Sequence, residues 1–166
     1  MITKKRYIGC KESEGLVANI VRHLQKDNRK IAAIVGIVRG GLTPAVMLSH
    51  YYDVPLYTID YSLRDRNNAQ EFGPDDGEML SQAYLDAEKV GGQVLIVDDI
   101  NDSGATLSAI ADFVDGEYFS KVFLYATMLE KCTSKFDCDY YGELLMDAAC
   151  DDWIVFPWED WWTNKD

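Results

Sequence analysis

Residues Val94 to Leu107 read VLIVDDINDSGATL, and they constrain the chain more than any other stretch. Val94 to Val97 form a continuous apolar run, as a strand buried on both faces requires. Two carboxylates, Asp98 and Asp99, stand at its carboxyl end. A polar turn, Asn101-Asp102-Ser103-Gly104, follows, and Thr106 opens an apolar-periodic helix. In an open α/β sheet, ligands sit outside the carboxyl ends of the strands. A turn feeding a helix N-terminus offers free backbone N–H groups and the positive end of a dipole, which suits a phosphate. The hydroxyls of Ser103 and Thr106 add donors, and Asp98, Asp99 and Asp102 suit sugar hydroxyls and a Mg²⁺.

The rest of the chain is consistent with an α/β domain of this kind. Its 166 residues, 48% of them hydrophobic, suit one domain with a sizeable core. A net charge of −12 excludes general nucleic-acid binding and attraction to an anionic membrane. An anionic substrate must then be held by a few local cations, a helix N-terminus and a metal. The first residues, MITKKRYIGC, lack the apolar core of a secretion leader, and no apolar run is long enough to cross a bilayer. Cys10, Cys132, Cys138 and Cys150 form no C-x-x-C pair and are expected to be reduced thiols of a cytoplasmic protein.

Strand and helix signals alternate along the chain. Ser13 is the expected N-cap of a helix to about Lys26, with Leu16, Ile20, Val21 and Leu24 on one face. Strands are predicted at Ile31 to Val38, Val54 to Tyr61 and Lys121 to Leu129. Helices are predicted from Thr43-Pro44 to about Tyr52, from Glu78 to Val90 and from Thr106 to Val114. Glu143 to Met146 and Trp153 to Phe156 are short apolar pieces. Ser62 to Gly77, SLRDRNNAQEFGPDDG, is a polar loop of unusual length, as lids and binding loops are. There is no internal repeat and no interdomain linker. The expected fold is α/β, a mostly parallel sheet flanked by helices, in a single domain over 1–166.

The organising stretch, LIVDDINDSGAT, resembles the phosphoribosyl pyrophosphate (PRPP) signature of the type I phosphoribosyltransferases: an apolar strand, two acids, two spacers, an acid, a hydroxyl residue, Gly, a variable residue and Thr. A response regulator also carries an acid pair after a strand, but near its N-terminus and without the Asp-Ser-Gly-x-Thr turn. A second match is Trp153-Ile154-Val155-Phe156-Pro157-Trp158-Glu159, similar to the C-terminal segment of xanthine–guanine phosphoribosyltransferases. The resemblance spans about Ile31 to Glu159. It departs at Ser103, where Thr is usual, at Ala105, and in the register of Lys131, because Glu130 breaks the apolar pattern.

The resemblance implies transfer of a 5-phosphoribosyl group from PRPP to a free 6-oxopurine (guanine, xanthine or hypoxanthine), giving a nucleoside monophosphate and pyrophosphate. It implies a flexible loop and a small C-terminal hood, from about residue 130 to 166, over the base. Asp98 and Asp99 would hold the ribose, and Asp102 through Ser103, Gly104, Ala105 and Thr106 would grip the 5′-phosphate. Asp102 would be the general base. Arg39, Gly40 and Gly41 would form the pyrophosphate loop, with a non-proline cis peptide at Val38–Arg39. Arg64, in preference to Arg66, would reach pyrophosphate from the long loop. Lys131 would donate to the purine 6-oxygen, Trp153 would stack on the base, and the Ile154 backbone would read its edge. Asp99 and Glu159 would hold Mg²⁺. Trp161 and Trp162 are expected to form an aromatic plug or an oligomer contact, since this family forms dimers and tetramers. The shared PRPP motifs leave open a pyrimidine as the base, or a PRPP-sensing protein without catalysis.

Overall fold

The computed structural model describes residues 4–61, 72–117 and 120–162. Ile31–Ile37 (β2), Leu56–Ile59 (β3), Gln93–Asn101 (β4), Phe123–Lys131 (β5) and Tyr140–Leu145 (β6) build one parallel sheet in the order β3-β2-β4-β5-β6. A second sheet joins Lys5–Tyr7 (β1) to Trp153–Val155 (β7), also in parallel. Cys10–Lys26 (α1) and Leu42–Tyr52 (α2) cover one face of the main sheet. Pro74–Val90 (α3) and Ala105–Glu117 (α4) cover the other.

Apolar runs become central strands here because both faces need filling. On β4, Leu95 and Val97 join the core under α1 and α2, whereas Val94 and Ile96 join the core under α3 and α4. On β5, Leu124, Ala126 and Met128 face the first core, and Phe123 and Tyr125 the second. The connection from β2 runs out to β3, and the chain then returns past β2 to β4. The crevice between the ends of β2 and β4 is therefore where the winding reverses, which is where such sheets bind ligands.

Several boundaries differ from expectation. Helix α1 starts at Cys10 with Gly9 at its N-cap. Ser13 lies a turn inside, buried, and its hydroxyl donates to the Gly9 carbonyl at 3.1 Å, so it is satisfied within the helix. Helix α3 begins at Pro74, four residues ahead of the predicted Glu78. Its Asp76 carboxylate accepts from the Gly73 N–H at 3.1 Å and from the Asp60 N–H at 2.9 Å, tying the helix start to the end of β3. Strand β3 is shorter than Val54 to Tyr61. Strand β4 continues through Asn101, so Asp98 and Asp99 lie within it rather than after it. Strand β5 likewise runs on to Lys131, because β6 pairs with it as far as Lys131 opposite Leu145. Helix α4 opens at Ala105, a residue before Thr106. Arg64 and Arg66 lie outside the described residues.

The pairing of β1 with β7 was not visible in the sequence. Lys5, Arg6 and Tyr7 lie opposite Trp153, Ile154 and Val155. Arg6 fastens this small sheet to the body: its guanidinium donates to both carboxylate oxygens of Glu143, at 2.9 and 3.1 Å, and to Glu12 at 2.7 Å. The hood over the sheet thus draws on both ends of the chain.

Candidate active site

A cleft of about 930 Å³ opens at the crevice between β2 and β4. Ile37, Val38, Arg39 and Gly40 form one wall, the segment from Asp98 to Leu107 the floor, and Trp153, Trp158, Glu159 and Trp162 the roof. The structure thus brings the acidic strand end, the turn after it and the C-terminal aromatic segment around one space, although they are far apart in sequence.

The Val38–Arg39 peptide is cis, as the resemblance implied. Past it the backbone lies hard against the acidic strand: a Cβ on Gly40 would stand 2.0 Å from an Asp99 carboxylate oxygen. A larger residue there would push the Asp99 carboxylate out of its present position. Gly41 is buried against the Val97 carbonyl and does not line the cleft. Asp98 accepts the Asp99 N–H at 2.9 Å, which fixes one acid relative to the other.

Between β4 and α4 the chain turns through Gly104, whose φ of +83° is the left-handed region. The Ser103 hydroxyl accepts the Ala105 N–H at 3.3 Å, a local turn just ahead of α4. Asp102, exposed beside this turn, is paired with the Lys131 ammonium at 2.8 Å. Lys131 itself is buried and lines a neighbouring hollow of about 280 Å³ rather than the cleft, which it meets through its contact with Asp102. The expected base-reading lysine and the expected general base are therefore in contact.

Sequence reasoning missed the brace behind this turn. Asn101, 2% exposed, donates to Glu130 at 2.9 Å and to the Phe136 carbonyl at 2.6 Å, and accepts from the Ser134 hydroxyl at 3.0 Å. Glu130, also buried, accepts from the Thr127 hydroxyl at 3.3 Å. The Lys135 N–H donates to the Ser103 carbonyl at 3.2 Å, so the segment after β5 is bonded directly to the turn. Burial, with the nearby Glu130 charge adding to it, pushes the Cys138 thiol far up at the edge of this network. The signal in the sequence was Glu130 itself, a lone carboxylate in an apolar strand.

On the roof, Trp153 is half exposed. The Ile154 side chain is buried in the core with Phe156, which leaves only its backbone for a ligand. Trp158 stacks on Phe156 with the planes 4° apart, and its indole N–H is buried without a partner. One Glu159 oxygen accepts the Phe156 N–H at 2.8 Å. Trp162 lines the cleft and Trp161 packs against it edge to face, and both rings remain largely exposed rather than plugging the core.

Among the described residues lining the cleft, Arg39 is the cation and Asp98, Asp99, Asp102 and Glu159 are the anions. These hard oxygen donors fit a hard divalent cation such as Mg²⁺. No cluster of three or more His, Cys, Asp or Glu residues among the described ones is arranged to hold a metal alone. The donor set fits an ion whose coordination a ligand completes.

The sequence profile described as phosphoribosyl transferase domain matches residues 7–160. The chain belongs to that family. It is 35% identical over 133 residues to a xanthine-guanine phosphoribosyltransferase of Cereibacter sphaeroides, covering 80% of this chain and 72% of the relative. The crystal structure of a purine phosphoribosyltransferase from Pyrococcus horikoshii is similar with a TM-score of 0.65 and 26% identity, over 93% of this chain and 94% of that one. A xanthine-guanine-hypoxanthine phosphoribosyltransferase of Helicobacter pylori shares the fold, with a TM-score of 0.67 at 22% identity over 96% and 97% of the two chains. The protein is a phosphoribosyltransferase, and its mostly parallel, helix-flanked sheet is the fold of the type I enzymes. No described helix is long and apolar enough to cross a membrane.

Proposed function

We propose that the protein transfers the 5-phosphoribosyl group of PRPP to a 6-oxopurine, with guanine, xanthine and hypoxanthine as the candidate bases. The observation that carries this is the single cleft in which the acidic strand, the glycine turn and the Trp153 roof meet. The relatives named above, enzymes of purine salvage by their names, support the same reading.

Asp98 and Asp99 hold the ribose hydroxyls, and the backbone from Asp102 to Thr106 at the start of α4 grips the 5′-phosphate. Arg39 and the Gly40 backbone take the pyrophosphate. Trp153 covers one face of the purine, and Lys131 gives up part of its contact with Asp102 to donate to the 6-oxygen. Purine N9 then bonds to C1′ as the bond from C1′ to the pyrophosphate oxygen breaks, and Asp102 takes the proton from N7.

With four carboxylates and one guanidinium lining the cleft, the charge of PRPP calls for a counterion. Asp99 and the remaining oxygen of Glu159 would hold Mg²⁺ together with substrate oxygens, as this ion prefers. The chemistry that Mg²⁺ would supply there is neutralisation of the charge on the departing pyrophosphate. The free thiols suit a reducing, cytoplasmic compartment.

The test is a PRPP-dependent assay against purine and pyrimidine bases, read as pyrophosphate release with and without Mg²⁺. Release with a 6-oxopurine and none with orotate or uracil is expected. Turnover of a pyrimidine alone overturns the purine assignment, and tight PRPP binding without any turnover makes the protein a sensor.

A further inference from the structure

We propose that Cys132 and Cys150 form a reversible disulfide, a modification site that sits between the two residues assigned to the purine. The two sulfurs are 3.2 Å apart, against about 2.05 Å in the finished bond. They are held there by a shared anchor. The Leu145 carbonyl accepts the Cys132 backbone N–H at 3.0 Å and the Cys150 thiol at 3.1 Å. Cys132 is exposed and open to a small oxidant, and Cys150 is buried behind it on the turn Asp147–Asp151. That is the arrangement of an attacking and a resolving thiol. The hydrogen bond to Cys150 holds the Cys132 thiol above its ordinary range, which slows its attack at neutral pH and makes the oxidation faster in mild alkali.

The oxidant is a low-molecular-weight disulfide such as glutathione disulfide. The Cys132 sulfur, having lost its proton, attacks one sulfur of that disulfide, whose S–S bond breaks and releases one thiolate. The Cys150 sulfur loses its proton in turn and attacks Cys132, displacing the second thiolate. Two protein thiols are oxidised by two electrons, and one small disulfide becomes two thiols.

Position gives the bond its consequence. Cys132 follows Lys131 directly, and the turn carrying Cys150 leads through Asp152 into Trp153. Closing the bond pulls the end of β5 and the root of β7 together. It disturbs the 2.8 Å seat of Lys131 on Asp102, while Arg39 and Gly40, which follow β2 on the far wall of the cleft, are not displaced. Oxidation therefore weakens the purine more than it weakens PRPP. This consequence rests on the purine reading, but the bond does not.

The experiment incubates the reduced full chain with glutathione disulfide, blocks remaining thiols, and maps peptides by mass. A Cys132–Cys150 cross-link is expected in the wild type, and a mixed glutathione disulfide on Cys132 in Cys150→Ser. Oxidised wild type should show a KM for guanine raised about threefold or more, with the KM for PRPP within about twofold, both reversed by dithiothreitol. Cys150→Ser should hold its KM for guanine to within about twofold on the same treatment. Only mixed disulfides in the wild type, or Cys132 linked to Cys10 or Cys138, overturn the pair. A cross-linked enzyme with unchanged KM for guanine overturns its control of the base. If the reduced chain turns over no purine, the purine reading fails, while the mass map still decides the bond.

Discussion

The proposed reaction gives Asp102 two duties that a substitution can separate. Its backbone lies in the turn assigned to the phosphate, and its carboxylate faces Lys131 at 2.8 Å. Asp102→Asn keeps the backbone and removes the proton acceptor. Binding of PRPP should survive, and kcat should fall by roughly the 10²–10⁴-fold that general-base loss costs. Calorimetry of PRPP binding beside steady-state kinetics separates the two duties, and an Asn variant with wild-type turnover would take Asp102 out of the proton transfer. Glu130 acts one step further back, through Asn101. Glu130→Ala leaves the Asn101 amide short of an acceptor in the core, and the turn it braces should slacken. The KM for PRPP should rise about tenfold with kcat little changed, and Glu130→Gln should restore most of it. Equal losses in Ala and Gln, or a loss only in thermal stability, would reduce Glu130 to a folding role. The carboxylates of the cleft were legible as residues because type and spacing carry them. The brace was not, since its partners Asn101, Glu130 and Ser134 meet only when β4 and β5 lie side by side.

Elements read well from sequence where their signals were local. Strands β2 and β4 announce themselves by continuous apolar runs, and α1 by its apolar stripe. Strand β1 has no such signal: three residues, two of them basic, become a strand only because β7 lies beside them. The start of α3 was hidden because Gly73, Pro74 and Asp76 read equally well as a turn and as a helix start. Strand β7 is the element to which the proposed reaction assigns base recognition. Trp153→Ala removes its exposed face without touching the core, in which Ile154 and Phe156 are buried. The KM for guanine should rise by about 10–100-fold, in line with the roughly 1–3 kcal/mol a stacking aromatic contributes, while the KM for PRPP stays put. Fluorescence titration with the nucleoside monophosphate gives the same comparison at equilibrium, and unaltered affinity there would mean that Trp153 does not stack.

The molecule as a whole joins a sheet covered on both faces to a small two-stranded hood. The hood strands span three residues each and expose Tyr7 and Trp153, whereas β2 is buried along its whole length. Opening the hood therefore costs less than opening the sheet. In hydrogen-exchange mass spectrometry, peptides covering β1 and β7 should exchange well before those covering β2 and β4. Purine nucleotide should slow the hood, and PRPP alone should not. Uniform protection of both sheets would show that Arg6 and the core under β7 weld the hood to the body. The parallel pairing of β1 with β7 also orders events on the ribosome. Of the described strands, β1 is translated first and must wait for β7, translated last. By the time β6 emerges, the nascent chain already has every strand and helix that frames the PRPP side of the cleft. Trp153, Trp158, Glu159 and Trp162 join the cleft only after the strands and the turn that form its floor. A chain cut ahead of Trp153 would keep the acidic strand and its turn and lose the aromatic roof.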